Sequence, residues 1–158
     1  MVTVRRYETS DWAAIEQVHD SARKIELRLA GLEDAFLPLA VAAPREGLLE
    51  YPGLFVAVED CTVIGFAACT EDELAWLYVS PEHMRQGVGR RLAEYALRAF
   101  PGIRSIEVLK GNEPAMVLYE RLGFSLARTE KGQMPGNEAF AVEVCCMERN
   151  APSPLPSR

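Results

Sequence analysis

No apolar run in this chain of 158 residues approaches the roughly 18 residues of a membrane span, and the start Met1-Val2-Thr3-Val4-Arg5-Arg6 has no signal-peptide core. These absences predict a cytoplasmic protein that uses no membrane. Basic charge is also scarce: 17 Lys and Arg stand against 23 Asp and Glu, a net charge of −6. The resulting pI near 5.0 argues against a nucleic-acid partner, because general binding to phosphate backbones needs a basic face. Cysteines number only four, at positions 61, 69, 145 and 146, and show no metal-ligand spacing. Cys145 and Cys146 are adjacent in a predicted strand and would point to opposite sheet faces, so reduced structural thiols and no metal are expected.

The content that remains is that of one enzyme-sized domain. Hydrophobic residues make up 49% and charged residues 25%, ordinary for a globular chain able to bury a core. The pattern predicts a mixed α/β domain over residues 1–149. Asn150-Ala151-Pro152-Ser153-Pro154-Leu155-Pro156-Ser157-Arg158 reads as a disordered Pro/Ser-rich tail. Periodicity predicts a strand at Thr3 to Arg6 and a helix at Asp11 to Leu29 that buries Trp12, Ile15, Val18, Ala22, Ile25 and Leu29. A short helix is expected near Glu33 to Ala42. Strands are expected at Leu54–Glu59, Thr62–Thr70, Glu73–Val79, Ile103–Leu109, Phe124–Arg128 and Ala139–Met147, with a helix at Val88–Phe100 and a loop at Lys131 to Gly136.

The most telling segment is Pro81-Glu82-His83-Met84-Arg85-Gln86-Gly87-Val88-Gly89-Arg90-Arg91-Leu92, which joins the strand Leu74 to Val79 to an amphipathic helix. Gly87 and Gly89 fall where unpaired N–H groups and the positive end of the helix dipole favour an anion. A P-loop is excluded because Gly89 is followed by Arg90 and Arg91 rather than Lys-Ser or Lys-Thr. A dinucleotide fingerprint is excluded because Leu92 stands where its third glycine belongs. A plain turn using positive φ is the alternative. Arg85, Arg90 and Arg91 crowd this loop in an otherwise acidic chain, with Lys110 and Arg121 further on, although Arg91 and Arg121 also fit a solvated helix face.

Downstream, Asn112-Glu113-Pro114-Ala115-Met116-Val117-Leu118-Tyr119-Glu120-Arg121-Leu122-Gly123-Phe124 reads as a complete short helix. Asn112 caps it, Pro114 suits the first turn and Gly123 stops it. Ala115, Leu118, Tyr119 and Leu122 share one face, so the Tyr119 phenol points inward, either as an ordinary core tyrosine or as a working group.

In this order and at this separation, the two motifs resemble the GNAT N-acetyltransferase superfamily. The likeness is strongest from Val56 to Phe124, including the hairpin from Val56 to Phe66, and looser up to Met147. It implies the GNAT fold, a twisted mixed sheet of six to seven strands flanked by about four helices. It also implies acetyl-CoA as cosubstrate, its pyrophosphate wrapped by the amides of Met84, Arg85, Gln86, Gly87, Val88, Gly89 and Arg90. Met84 departs from the family's Gln or Arg at that position, and Arg85, Gln86 and Arg90 are the polar replacements at hand. The resemblance further assigns the pantetheine arm to the backbone of Leu77, Tyr78 and Val79 in a gap between diverging strands. Asn112 is placed beside that arm, and Tyr119 as the acid near the thiolate.

The activity so implied is direct transfer of acetyl from acetyl-CoA to a primary amine of a small molecule or peptide, in a ternary complex. A base must strip the ammonium. Glu71, Asp72, Glu73 and Glu107 lie near the gap, and Glu73 is the first choice because on a regular strand it shares a face with Ala75, Leu77 and Val79. His83 in the loop and His19 on a helix flank are further candidates. An acidic surface favours a cationic amine, and a homodimer is left open. The competing function is a CoA-binding regulatory module without transferase activity, for which Met84 is the main support.

Overall fold

Seven strands and four helices make up the computed structural model, which describes residues 1–150; the expected disorder at 151–158 lies outside the described residues. In chain order the elements are β1 (Thr3–Arg6), α1 (Trp12–Leu29), α2 (Leu39–Glu46), β2 (Gly53–Glu59), β3 (Thr62–Cys69), β4 (Glu73–Val79), α3 (Val88–Ala99), β5 (Ser105–Leu109), α4 (Glu113–Arg121), β6 (Ser125–Met134) and β7 (Asn137–Glu148). The strands form one sheet in the order β1-β2-β3-β4-β5-β7-β6. Only the β4–β5 pair is parallel; the other five are antiparallel.

Both faces of the sheet are covered. On one, Phe55, Ala67, Ile106 and Val108 pack against Leu92 and Ala96 of α3 and Tyr119 of α4. On the other, Val56, Phe66 and Trp76 meet Ile15 and Val18 of α1 and Leu39 of α2. A smaller cluster joins Leu27 to Ala35, Met134 and Val142. With two helices on each face, the sheet must present apolar side chains both ways, which explains the near-continuous burial of β2 and β3.

Several boundaries depart from the sequence expectation. The helix predicted near Glu33 to Ala42 is a 3-10 turn at Glu33–Ala35 followed by α2, because Pro38 fixes an extended backbone at its N-cap position. The segment Lys131 to Gly136 is not a loop: β6 runs to Met134, and only Pro135 and Gly136 turn into β7. Its alternation is hidden by the exposed charges of an edge strand. Leu29 is exposed rather than buried, since α1 points Leu27 into the smaller cluster instead.

Asp11 pins β1 to the start of α1. Its buried carboxylate accepts Arg5 Nη1 at 2.8 Å, Arg5 Nη2 at 3.0 Å and the Glu8 amide at 2.8 Å. The Arg5 guanidinium is the main reason its carboxyl is held below the usual range. Asp11→Ala removes the charged acceptor of the Arg5 and Glu8 hydrogen bonds and is expected to lower stability by about 1–3 kcal/mol in urea unfolding. Because the folded-state pKa is depressed, the stabilisation is full above the ordinary carboxylate value and is lost as pH falls through the depressed one.

Candidate active site

The parallel pairing of β4 with β5 is limited to Glu73 opposite Ser105 and Leu74 opposite Ile106. Past Leu74 the two strands separate. A bulge starts the divergence: Cys69 of β3 faces Leu74 and Ala68 faces Trp76, so Ala75 is an extra residue on β4. The β5-facing backbone of Leu77, Tyr78 and Val79 therefore has no strand partner, while the opposite edge stays bonded to β3. This opening is where the family resemblance sets the pantetheine arm.

The glycine loop ends beside this gap. Met84 is extended after a 3-10 turn at Pro81–His83, Arg85 takes φ 64°, and Gly87 takes φ 83° as N-cap of α3. The bond from the Arg91 amide to the Gly87 carbonyl at 3.1 Å opens the helical ladder, so the amides of Val88, Gly89 and Arg90 precede it and face outward. Val88 is buried and anchors the turn. A Cβ on Gly89 would lie 3.5 Å from Leu118 and 3.7 Å from Val79, which sets this glycine between the open end of β4 and α4. Arg90 is drawn away to Glu94 at 2.6 Å and Arg91 to the Val2 carbonyl, whereas the exposed Arg85 has no ion-pair partner among the described residues. Gln86 bonds back to the Glu82 carbonyl at 3.3 Å.

On the far side of the gap, Asn112 caps α4 by accepting the Ala115 amide at 3.4 Å, and Gly123 ends it at φ 96°. Tyr119 is 7% exposed and its ring lies edge-on to Phe124. Burial, and then the negative charge of Glu26, push its phenol well above the ordinary tyrosine value, so it keeps its proton at neutral pH.

On the other face a cavity of about 250 Å³ opens between α1, α2, β4, β5 and the β6–β7 hairpin. Here the expected face of Glu73 is corrected. The Ala75 bulge resets the alternation: Leu74, Leu77 and Val79 pack on the α3 side, while Glu73 lines the cavity with Trp76 and Tyr78. Glu107 lines the same cavity, while its neighbours Ile106 and Val108 face the α3-side core. Burial, then the charges of Glu107 and Asp72, raise the Glu73 carboxyl above its usual value.

Glu26 and Arg23 of α1 were not singled out from sequence, yet they hold the mouth of the gap. Glu26 accepts the Tyr78 hydroxyl at 3.1 Å and the Asn112 amide at 3.4 Å, and Arg23 donates to the same carboxylate. One side chain thus ties the splayed strand β4 to the cap of α4. The only available signal was that both polar residues adjoin the apolar stripe of α1. Glu46 of α2 is also on the cavity wall, and burial pushes its carboxyl to about 7. Of the histidines, His19 is 2% exposed and lines the cavity, whereas His83 stays in the 3-10 turn. Glu107, Glu130 and Cys146 bring ligand-type atoms within 4.8 Å of one another, but Arg128 already bonds Glu130.

The free amides at the start of α3, the splayed β4–β5 junction and the buried tyrosine of α4 are the features on which the resemblance to GNAT acetyltransferases rests. Residues 50–126, just under half of the chain, match the acetyltransferase (GNAT) domain. It is 30% identical over 95 residues to peptidyl-lysine N-acetyltransferase YiaC of Escherichia coli (strain K12), a match covering 58% of this chain and 64% of the relative, under two thirds of its length. The fold is shared with the ribosomal-protein-S18-alanine N-acetyltransferase of Escherichia coli, at TM-score 0.71 and 24% identity over 98% of this chain and 96% of that one. It is shared too with yncA from Salmonella typhimurium, solved with its cofactor acetyl-CoA, at TM-score 0.67 and 19% identity over 98% and 96% of the two chains. No helix among the described residues is long and apolar enough to cross a membrane.

Proposed function

We propose that this protein is an N-acetyltransferase that moves the acetyl group of acetyl-CoA to a primary amine by direct attack in a ternary complex. The observation that carries this reading is the opening of β4 from β5 after two residue pairs, with the α3 amides at its end. An extended amide-bearing arm fits an unpaired strand edge, and a pyrophosphate fits a helix start whose glycines leave room for it. The curated relative acts on peptidyl-lysine, which makes a lysine-like amine a natural acceptor.

Each step has a residue. Glu73, with its proton affinity raised by burial and by Glu107, takes a proton from the incoming ammonium, directly or through water. The free amine then forms the C–N bond to the acetyl carbon as the C–S bond breaks, and Tyr119 gives its proton to the departing thiolate. Leu77, Tyr78 and Val79 supply backbone groups that hold the arm in register, and Asn112 keeps α4 aligned with it.

Free-thiol release from acetyl-CoA, followed over a panel of amines and lysine peptides, tests the reading. At least one amine is expected to raise thiol release far above the rate with water alone. Glu73→Gln is expected to lower kcat by roughly tenfold to a hundredfold and to flatten the acid limb of the pH profile, where the carboxyl protonates. Tight acetyl-CoA binding without thiol release for any amine would instead favour the CoA-binding regulatory module.

A further inference from the structure

Resting on that reading, we infer that the acceptor carries two cationic nitrogens, one presented to the gap and one held at the opposite end of the cavity by Glu46. Charge accounting over the cavity wall leads there. Arg23 is the cation among the cavity-lining side chains, and it is already bonded to Glu26. Glu46, Glu73 and Glu107 remain, and none has an ion-pair partner among the described residues. Glu46 and Glu73 are half-buried on the wall of a cavity of about 250 Å³, so ionising them there is costly unless the ligand brings positive charge, and the exposed Glu107 adds its field.

These carboxylates form two groups rather than one. Glu73 and Glu107 face each other across the β4–β5 junction. Glu46 sits at the end of α2 against the hairpin turn, where a Cβ on Gly136 would lie 3.2 Å from its side chain. Tyr51 lines the same wall and feels both groups: burial raises its phenol, a hydrogen bond with Trp76 opposes this, and the charges of Glu73 and Glu46 raise it further. The wall between is apolar and aromatic, with Trp76, Leu109 and Val144, which suits a methylene chain joining two ammonium groups.

A buried side chain on the same wall independently offers an acceptor to the cavity. His19 places Nδ1 2.9 Å from the Asp20 carboxylate, whose Oδ1 also accepts the Leu39 amide at 2.8 Å. Burial holds this imidazole below its ordinary value, so it is neutral at pH 7. A carboxylate only accepts, so Nδ1 carries the proton, and Nε2 is left as a lone pair without a partner among the described residues. An ammonium in the cavity is a suitable donor to it.

The charged and titratable groups facing Glu46 are Arg23 from α1, Glu138 from β7, and the phenols of Tyr51 and Tyr78. Since its carboxyl sits at about 7, it is largely ionised at about pH 8 and largely protonated at about pH 6. Preference for a second positive charge is therefore strongest on the alkaline side.

The test compares diaminopentane with pentylamine as acceptors, by thiol release, at both pH values. At about pH 8 the diamine is expected to exceed the monoamine in kcat/KM by about tenfold or more, beyond the roughly twofold owed to its two equivalent ends. The advantage is expected to narrow at about pH 6. In Glu46→Gln, checked for folding by its melting curve, it is expected to shrink at about pH 8, mainly through a higher KM for the diamine. A peptide with two adjacent lysines, set against one with lysine beside alanine, tells whether the second charge comes from a side chain or a free diamine. Equal kcat/KM for diamine and monoamine in the wild-type protein overturns the inference while leaving the transferase reading intact. No thiol release with any amine overturns both.

Discussion

Tyr119→Phe is expected to fold normally, bind acetyl-CoA as well as the unaltered protein does, and turn over about a hundredfold or more slowly. The substitution removes one oxygen from a ring that stays packed against Phe124 in the α3-side core, so stability should hardly change. The hydroxyl matters only as the carbon–sulfur bond breaks, which places the loss in kcat rather than in cofactor affinity. Burial and the Glu26 carboxylate keep the phenol protonated across the working pH range, as an acid must be before it acts. Calorimetry with acetyl-CoA and steady-state rates with the best amine check both halves. A wild-type rate in a folded Tyr119→Phe protein, with chemistry shown to limit turnover, reduces Tyr119 to a core residue.

The second large effect lies at the start of α3. Gly89→Val is expected to weaken acetyl-CoA binding by more than about 2 kcal/mol while leaving the fold in place. Its Cβ meets Leu118, Val79 and Leu77 only at ordinary contact distances, and the added methyls then occupy space between α3 and the open end of β4. At Gly87 the penalty is of another kind. Nothing stands within 4 Å of a Cβ there, but φ 83° strains any β-branched residue, so Gly87→Val distorts the loop that aims the amides. Glycine is thus required for shape at one position and for space at the other. Unchanged calorimetric affinity in a folded Gly89→Val protein removes the anion site from α3.

Much of this was legible in the sequence, and the exceptions have physical causes. Gly87, Asn112, Pro114 and Gly123 announced two helix starts and a stop, because caps and positive φ depend on local chemistry that one chain segment contains. The face of Glu73 was misread because strict alternation cannot foresee the extra residue at Ala75, which is set by the partner strand β3. Glu26, Arg23 and Glu46 carried no spacing signal. Their role arises only when α1 and α2 are laid across the diverging strands, a tertiary placement that neither helix encodes alone. The long β6–β7 hairpin was underestimated because an edge strand with exposed charges lacks the apolar rhythm that marks buried strands.

The two-pair junction between β4 and β5 also has a mechanical meaning. The sheet is two ladders, β1 to β4 and β5 with β7 and β6, stitched by two residue pairs at one end. A ligand laid along the seam contributes the missing backbone partners and makes the halves one cooperative unit. By mass action, a ligand present at a hundred times its dissociation constant adds about 2.7 kcal/mol to the folded state. Saturation with a ligand that occupies the seam is therefore expected to raise the melting temperature, and hydrogen exchange along β4 and β5 is expected to slow most when it binds.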